Sequence, residues 1–321
     1  MMENFEKAVV TIGIFDGVHR GHQKLLRRTE ELARESGATS VAYTFSDLPQ
    51  GEDSESSGEL IFPLRRREEF LHCFVDTVHV ENVSEVSDLS PAQFVDRILR
   101  EKMSASAVVV GSDWRFGKGR KGDIELLEEL SDGEFAVEVV QQFRIDGKPV
   151  SSSWIRKELR NGNIETAAKL LGRKHSLYGQ VVRGSQIGRE LGYPTANISI
   201  DPEILVPRKG VYAVIAEVNQ LKIRGLLYIG NRPTLDKQEL RIEVYLMDDF
   251  TSEIYGQEVT VHLLKYLRDE KNFESEEKLR RAISDDVREA KQVIKPHRPE
   301  DLEPCKINDW RNEKTGEDQY V

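Results

Sequence analysis

The sequence lacks any long apolar run. Its apolar stretches are strand-sized, such as Ala107–Val110, far short of the roughly 18 residues that cross a bilayer as a helix. The opening MMENFEKAVVTIG has no basic segment followed by an apolar stretch, so no cleaved secretory leader is expected. Cysteine is nearly absent. Cys73 and Cys305 lie far apart and form no metal or redox motif, which leaves two incidental thiols in a reducing compartment. An excess of basic residues is missing too. Lys and Arg number 46 against 56 Asp and Glu, a net charge of −10, which argues against a binder of duplex nucleic acid. No Gly-x-x-x-x-Gly-Lys-Ser/Thr loop occurs, so this is not a P-loop protein. No internal repeat occurs either. These absences predict a cytoplasmic protein with neither a membrane nor a nucleic-acid partner. They leave room for a nucleotide substrate, because phosphates are met locally by backbone amides, a few cations and a metal.

The 321 residues suit two domains. The first half alternates strand and helix signals. Apolar, β-branched runs at 8–14, 39–45, 74–80, 106–111 and 135–140 are separated by helical patterns at 22–35, 65–73, 91–103 and 123–130. That alternation predicts a parallel sheet with helices on both faces. Two more helices are expected at 152–160 and 163–171. The period changes near Leu177. Strand patterns follow at 177–182, 195–200, 210–218, 221–229, 240–247 and 258–264, with no helix between them. They predict an antiparallel barrel or sandwich, closed by one helix over 275–293. The expected division is residues 1–173, 174–295 and a polar tail, 296–321. Residues 47–58, rich in Ser, Gly, Asp and Glu, read as a loop.

Two constellations carry chemistry. Gly13-Ile14-Phe15-Asp16-Gly17-Val18-His19-Arg20-Gly21-His22 follows the first strand and enters a helix, where an open α/β sheet binds its ligand. Its glycines admit close approach of a nucleotide. The helix start favours negative charge, and two imidazoles can stabilise charge on a phosphoryl group. Ser151-Ser152-Ser153-Trp154-Ile155-Arg156 opens a later helix; its serines can cap it, and its Arg can grip phosphate oxygens. Gly111-Ser112-Asp113-Trp114-Arg115-Phe116-Gly117 ends the fourth strand, with aromatics suited either to stacking on a flat ring or to the core. In the second half, Gly184-Ser185-Gln186-Ile187-Gly188-Arg189-Glu190-Leu191-Gly192-Tyr193-Pro194-Thr195-Ala196-Asn197 joins a glycine-rich loop to a strand. Thr195 and Asn197 point to one side of that strand and offer hard oxygen ligands to a Mg²⁺ ion on ATP phosphates.

In this order, the motifs of the first half resemble the FMN adenylyltransferase part of the bacterial bifunctional riboflavin kinase/FAD synthetase family. The glycine-rich stretch, Gly210-Val211-Tyr212-Ala213, Ile229-Gly230-Asn231-Arg232-Pro233-Thr234, Ile242-Glu243-Val244, Tyr255-Gly256 and Leu267-Arg268-Asp269-Glu270 resemble riboflavin kinase. The resemblance covers roughly residues 8–292. It implies a Rossmann-like nucleotidyltransferase domain joined to a β-barrel riboflavin kinase domain. It also implies riboflavin, FMN and ATP as substrates and Mg²⁺ as cofactor. His19, His22, Ser153 and Arg156 would engage ATP phosphates, while Gly13, Phe15 and Gly17 shape the pocket. Gly184, Gly188 and Arg189 would cover a second ATP, Thr195 and Asn197 bind the metal, and Glu243 serve as general base. Asp113, Phe116 and Arg268 fall on the flavin side. Departures from the pattern are the stretch Thr44-Phe45-Ser46-Asp47-Leu48-Pro49, which lacks the His-Pro frequent after this strand, Trp114 for Phe, Leu235 for an aromatic, and Tyr228 for the Asn common before Ile-Gly. A one-headed enzyme and a flavin carrier are the competing readings; a carrier would bind flavin without consuming ATP.

Overall fold

The computed structural model describes residues 6–47, 59–183, 193–233, 238–247 and 254–294. The chain divides into two compact units, one ending at Ser152 and the next beginning at Ser153. In the first unit, β1 (Ala8–Ile12), β2 (Thr39–Phe45), β3 (Thr77–Glu81), β4 (Ala105–Gly111) and β5 (Ala136–Val140) form a parallel sheet of order β3-β2-β1-β4-β5. The strand order reverses beside β1, and the crevice at that switch is the expected ligand position. Successive residues of β1 face opposite sides. Val9 packs with Leu25, Leu32 and Ala33 of α1 (Arg20–Ser36). Ala8, Val10 and Ile12 pack on the other side with Phe94, Leu99 and Leu127. Both faces are therefore covered, as the alternation predicts.

Some bounds differ from expectation. β1 stops at Ile12 because the loop begins at Gly13. The expected helix over 91–103 is split. α4 (Pro91–Phe94) starts with a Ser90–Gln93 capping box and Pro91 in its first turn, and a π-helical segment (Val95–Lys102) follows. The strand expected from Phe74 begins at Thr77, because Asp76 is held in a turn. Its carboxylate accepts from the Ser40 amide at 2.9 Å and the Ser40 hydroxyl at 2.7 Å. The Cys73 Sγ lies 3.2 Å from the Glu69 carbonyl; Cys305 lies outside the described residues. So do the tail and most of the Ser/Gly-rich loop.

The second unit opens with α6 (from Ser152 to Asn161) and α7 (Ile164–Leu171). Six antiparallel strands follow: β8 (Ser176–Val182), β9 (Thr195–Ile200), β10 (Gly210–Val218), β11 (Leu221–Pro233), β12 (Gln238–Leu246) and β13 (Glu258–Arg268). They close into a barrel of order β10-β11-β12-β9-β8-β13. Of the two architectures open from periodicity, the barrel is the one formed. Its last helix, α8 (Glu276–Ile294), lays Val287, Ala290 and Ile294 on an outer barrel patch with Val211, Ala213, Ile215 and Leu226. Among the described residues no helix is long and apolar enough to cross a membrane.

A polar cluster ties edge strand β3 to the π-helical segment. Glu81 accepts from Tyr43 at 3.1 Å, is ion-paired with Lys102, and lies 3.6 Å from His79. Burial alone would raise the Glu81 pKa, but Lys102, Tyr43 and His79 together hold it below the usual range. The unfolded chain then binds more protons than the native one, so stability should rise with pH across this window. We expect first-unit stability to fall as pH drops from about 4.3, the ordinary Glu value, through the lower folded value. Urea titrations at stepped pH should show the slope, and Lys102→Met should flatten it.

Candidate active sites

The loop after β1 is held in an unfavourable backbone shape. Phe15 and Val18 adopt positive φ (52° and 37°) alongside Gly17 (82°). For a β-branched residue such as Val18 this is a true outlier, and strain of this kind collects at ligand sites. Several contacts hold the loop. The Ile14 carbonyl accepts from Thr44 at 3.1 Å and from Arg67 at 2.8 Å. Arg67 also donates to the Phe45 carbonyl at 2.6 Å. The Asp16 carboxylate accepts from the Ile61 amide at 2.9 Å, and its carbonyl from the Ser152 hydroxyl at 2.8 Å. Arg67 is fully buried, and burial pulls its pKa down.

His19 caps α1, accepting the His22 N–H on Nδ1 at 3.3 Å, so a neutral His19 carries its proton on Nε2. The two imidazoles stack at 3.6 Å, and Phe15 meets His22 edge-on at 5.3 Å. A Cβ on Gly21 would press on the His19 ring at 3.0 Å, and one on Gly13 would meet the Phe15 ring at 3.2 Å. The glycines thus make room for protein rings as well as for a ligand. Gly13, Phe15, Gly17, His19 and His22 are brought together.

After β4, Phe116 is 5% exposed and packs on Phe94 at 5.8 Å, inside the core. Trp114 stacks on it at 4.8 Å and is the more exposed ring. Asp113 is exposed and accepts from Gln142 at 2.9 Å. On α6, Ser153 is exposed and Arg156 is buried.

In the barrel, register assembles the second group. Glu243 on β12 pairs with Asn197 on β9 and with Tyr228 on β11. Thr195 pairs with Tyr245. Directly opposed residues share a face, so Thr195, Asn197, Glu243 and Tyr228 lie side by side. Val211 continues the row to Arg268 on β13. The Glu243 side chain is 15% exposed and pairs with Arg241 at 3.0 Å. Arg268 is held in a fork by Asp286 of α8, with Nε–Oδ1 at 2.9 Å and Nη2–Oδ2 at 2.7 Å, and lies over Phe273. Gly184, Gly188 and Arg189 lie outside the described residues.

Thr195 and Asn197 set a hydroxyl and an amide oxygen beside a carboxylate, on a half-buried face. No cluster of three or more His, Cys, Asp or Glu suited to a metal occurs among the described residues. A hydroxyl, an amide oxygen and a carboxylate are hard oxygen donors of the kind that suits Mg²⁺, with waters and substrate phosphates completing its shell.

The riboflavin kinase family model matches residues 171–294, and the FAD synthetase family model matches residues 1–154. This chain belongs to the bifunctional riboflavin kinase/FMN adenylyltransferase family. The Bacillus subtilis member is 35% identical over 296 residues, covering 90% of this chain and 93% of its own. The Escherichia coli K12 member is 33% identical, with the same coverage. A solved structure from Streptococcus pneumoniae, described as a macrolide-efflux protein, superposes with a TM-score of 0.81 at 31% identity, over 90% of this chain and 95% of that one.

Sequence reading passed over Arg67 and Asp286, and it named Tyr228 and Glu270 without bringing them into contact. Arg67 sits in an Arg-Arg-Arg run whose other members face Glu69 at the surface, so no local signal marks the buried one. Arg67→Met would leave the Ile14 and Phe45 carbonyls short of a donor. It should cost the first unit about 1–3 kcal/mol, read as a lower thermal midpoint. FAD formation should fall while riboflavin phosphorylation stays near wild type.

Proposed function

We infer that the barrel unit phosphorylates riboflavin to FMN with ATP, and that the parallel-sheet unit transfers AMP from a second ATP to FMN, giving FAD and pyrophosphate. One observation carries this reading: both family models match one chain, in the order of relatives that align over 90% of it. We assign the two heads to residues 1–173 and 174–295.

In the kinase head, Glu243 takes the proton of the terminal ribityl hydroxyl as that oxygen attacks the γ-phosphorus and ADP departs. Arg241 fixes the carboxylate from one side. Thr195 and Asn197 would hold Mg²⁺, which supplies charge neutralisation to the ATP phosphates. Gly184, Gly188 and Arg189 are assigned to cover that ATP. Arg268, locked by Asp286, belongs to the flavin side.

In the adenylylating head, a phosphate oxygen of FMN attacks the α-phosphorus of ATP, and pyrophosphate leaves. No covalent protein intermediate is required; positioning and charge stabilisation supply the rate. The pinned loop Gly13–Gly17 seats the nucleotide. His19 Nε2 and His22 face the developing charge. Ser153 and Arg156 are assigned to the ATP phosphates from the Ser-x-Ile-Arg motif. Asp113 and Phe116 are assigned to the flavin side, where the half-buried Trp114, stacked on Phe116, offers the more accessible ring. Both steps use small molecules available in the cytoplasm and call for no nucleic-acid or membrane partner.

The deciding experiment is a chromatographic time course of riboflavin with ATP and Mg²⁺. FMN should appear and then give way to FAD. Glu243→Gln should lower FMN formation by ~10²–10⁴-fold and spare the conversion of added FMN to FAD. An unchanged FMN rate would remove Glu243 from the base role. His22→Ala should do the reverse. A chelator should stop both steps, and added Mg²⁺ should restore them.

A further inference from the structure

Tyr228 sits at the centre of a cluster on the outer face of the barrel wall. It is half-buried on β11, directly opposite Glu243 in the ladder. Its ring folds back over Gly230, two residues along the same face, and its hydroxyl donates to Glu270 just beyond β13. A Cβ at position 230 would collide with both the Tyr228 hydroxyl and the Glu270 carboxylate. Burial, then Glu270 and Glu243, push the Tyr228 pKa upward, so the phenol stays protonated. Its oxygen keeps acceptor capacity after donating, and a carboxylate offers several acceptor sites.

The row gives these acceptors a direction. Asn197, Glu243 and Tyr228 follow one another across β9, β12 and β11. The phosphoryl donor, held from the Asn197 side, and the acceptor alcohol must approach each other over Glu243. The chain carrying that alcohol therefore leaves on the opposite side, across Tyr228, Glu270 and the Asp286-locked Arg268. A polyol chain carries several hydroxyl donors that lose water on entry, and each needs an acceptor.

We propose that Tyr228, latched by Glu270, is a specificity-determining residue that receives the hydroxyls of the acceptor's polyol chain. This rests on the kinase reading of the barrel. Tyr228 sets how well the flavin alcohol binds beside Glu243, and it leaves ATP binding and the first unit untouched.

The test is the steady-state kinetics of riboflavin phosphorylation by the full chain, with Tyr228→Phe, Glu270→Ala, Glu270→Gln and the Tyr228→Phe/Glu270→Ala double variant. The ATP KM and kcat of the same reaction serve as the folding control for the barrel, and conversion of added FMN to FAD as the control for the first unit. Tyr228→Phe and Glu270→Ala should each raise the riboflavin KM about 5–30-fold. The ATP KM should hold, and kcat should stay within about threefold. Glu270→Gln keeps an acceptor for the phenol and should recover most of the affinity. The double variant should be little worse than either single one, because the two groups act as a unit. An unchanged riboflavin KM in Tyr228→Phe or in Glu270→Ala overturns the proposal, as does an equal rise in the ATP KM or a loss confined to kcat. If one variant misfolds, the other decides. A wild type that makes no FMN would instead refute the kinase reading. Quenching of riboflavin fluorescence, titrated with ADP and Mg²⁺ present, would then judge this proposal: weaker binding by the variants keeps it, and equal binding ends it.

Discussion

A slip of one residue in β12 would turn Glu243 away from Asn197 and Tyr228, because neighbouring residues on a strand face opposite sides. Everything in the barrel site depends on that register. The ladder sets the proposed base between a proposed metal ligand and the Tyr228–Glu270 pair. Closure of the barrel then brings β13 next to β10, so Arg268 joins the row through Val211. Helix α8 covers the neighbouring outer patch and supplies Asp286, which holds Arg268 in a fork. The proposed base and metal ligands therefore lie on the outer face of the barrel wall, the face that α8 partly covers, while the interior is filled by the alternate residues.

The first unit meets the same need, fixed geometry, by a different device. Its loop after β1 leaves regular structure, so ladder hydrogen bonds cannot hold it. Side chains do this instead: Thr44 and Arg67 take the Ile14 carbonyl, and Ile61 and Ser152 hold Asp16. This arrangement keeps Phe15 and Val18 in backbone shapes they would otherwise leave. It also explains how a chain with a net charge of −10 can serve anionic substrates. In the proposed sites charge would be met locally by a helix start, two imidazoles and arginines placed one by one, not by a basic surface.

Periodicity revealed the fold class, because strands covered on both faces read as continuous apolar runs and helices as apolar stripes. β2, β9 and β10 run over the residues their apolar patterns mark. It missed where the chain breaks its own period. The π-helical segment keeps Val95, Ile98 and Leu99 buried as an α-helix would, so apolar spacing cannot separate the two. It also left barrel and sandwich undecided, since both bury alternate residues and differ only in which strands pair.

By itself the sequence determined the order of the two catalytic motifs, the strand and helix periods around them, and membership of a two-headed family. Those are local or linear properties, carried by residue types at fixed spacings. Only the tertiary structure decided which arginine of Arg65-Arg66-Arg67 is buried beneath the loop after β1. It alone paired Tyr228 with Glu270, 42 positions away. It also put Phe116 in the core and stacked Trp114, half-buried, against it. Burial and partnership across such separations depend on barrel closure and sheet order, and no spacing along the chain encodes them.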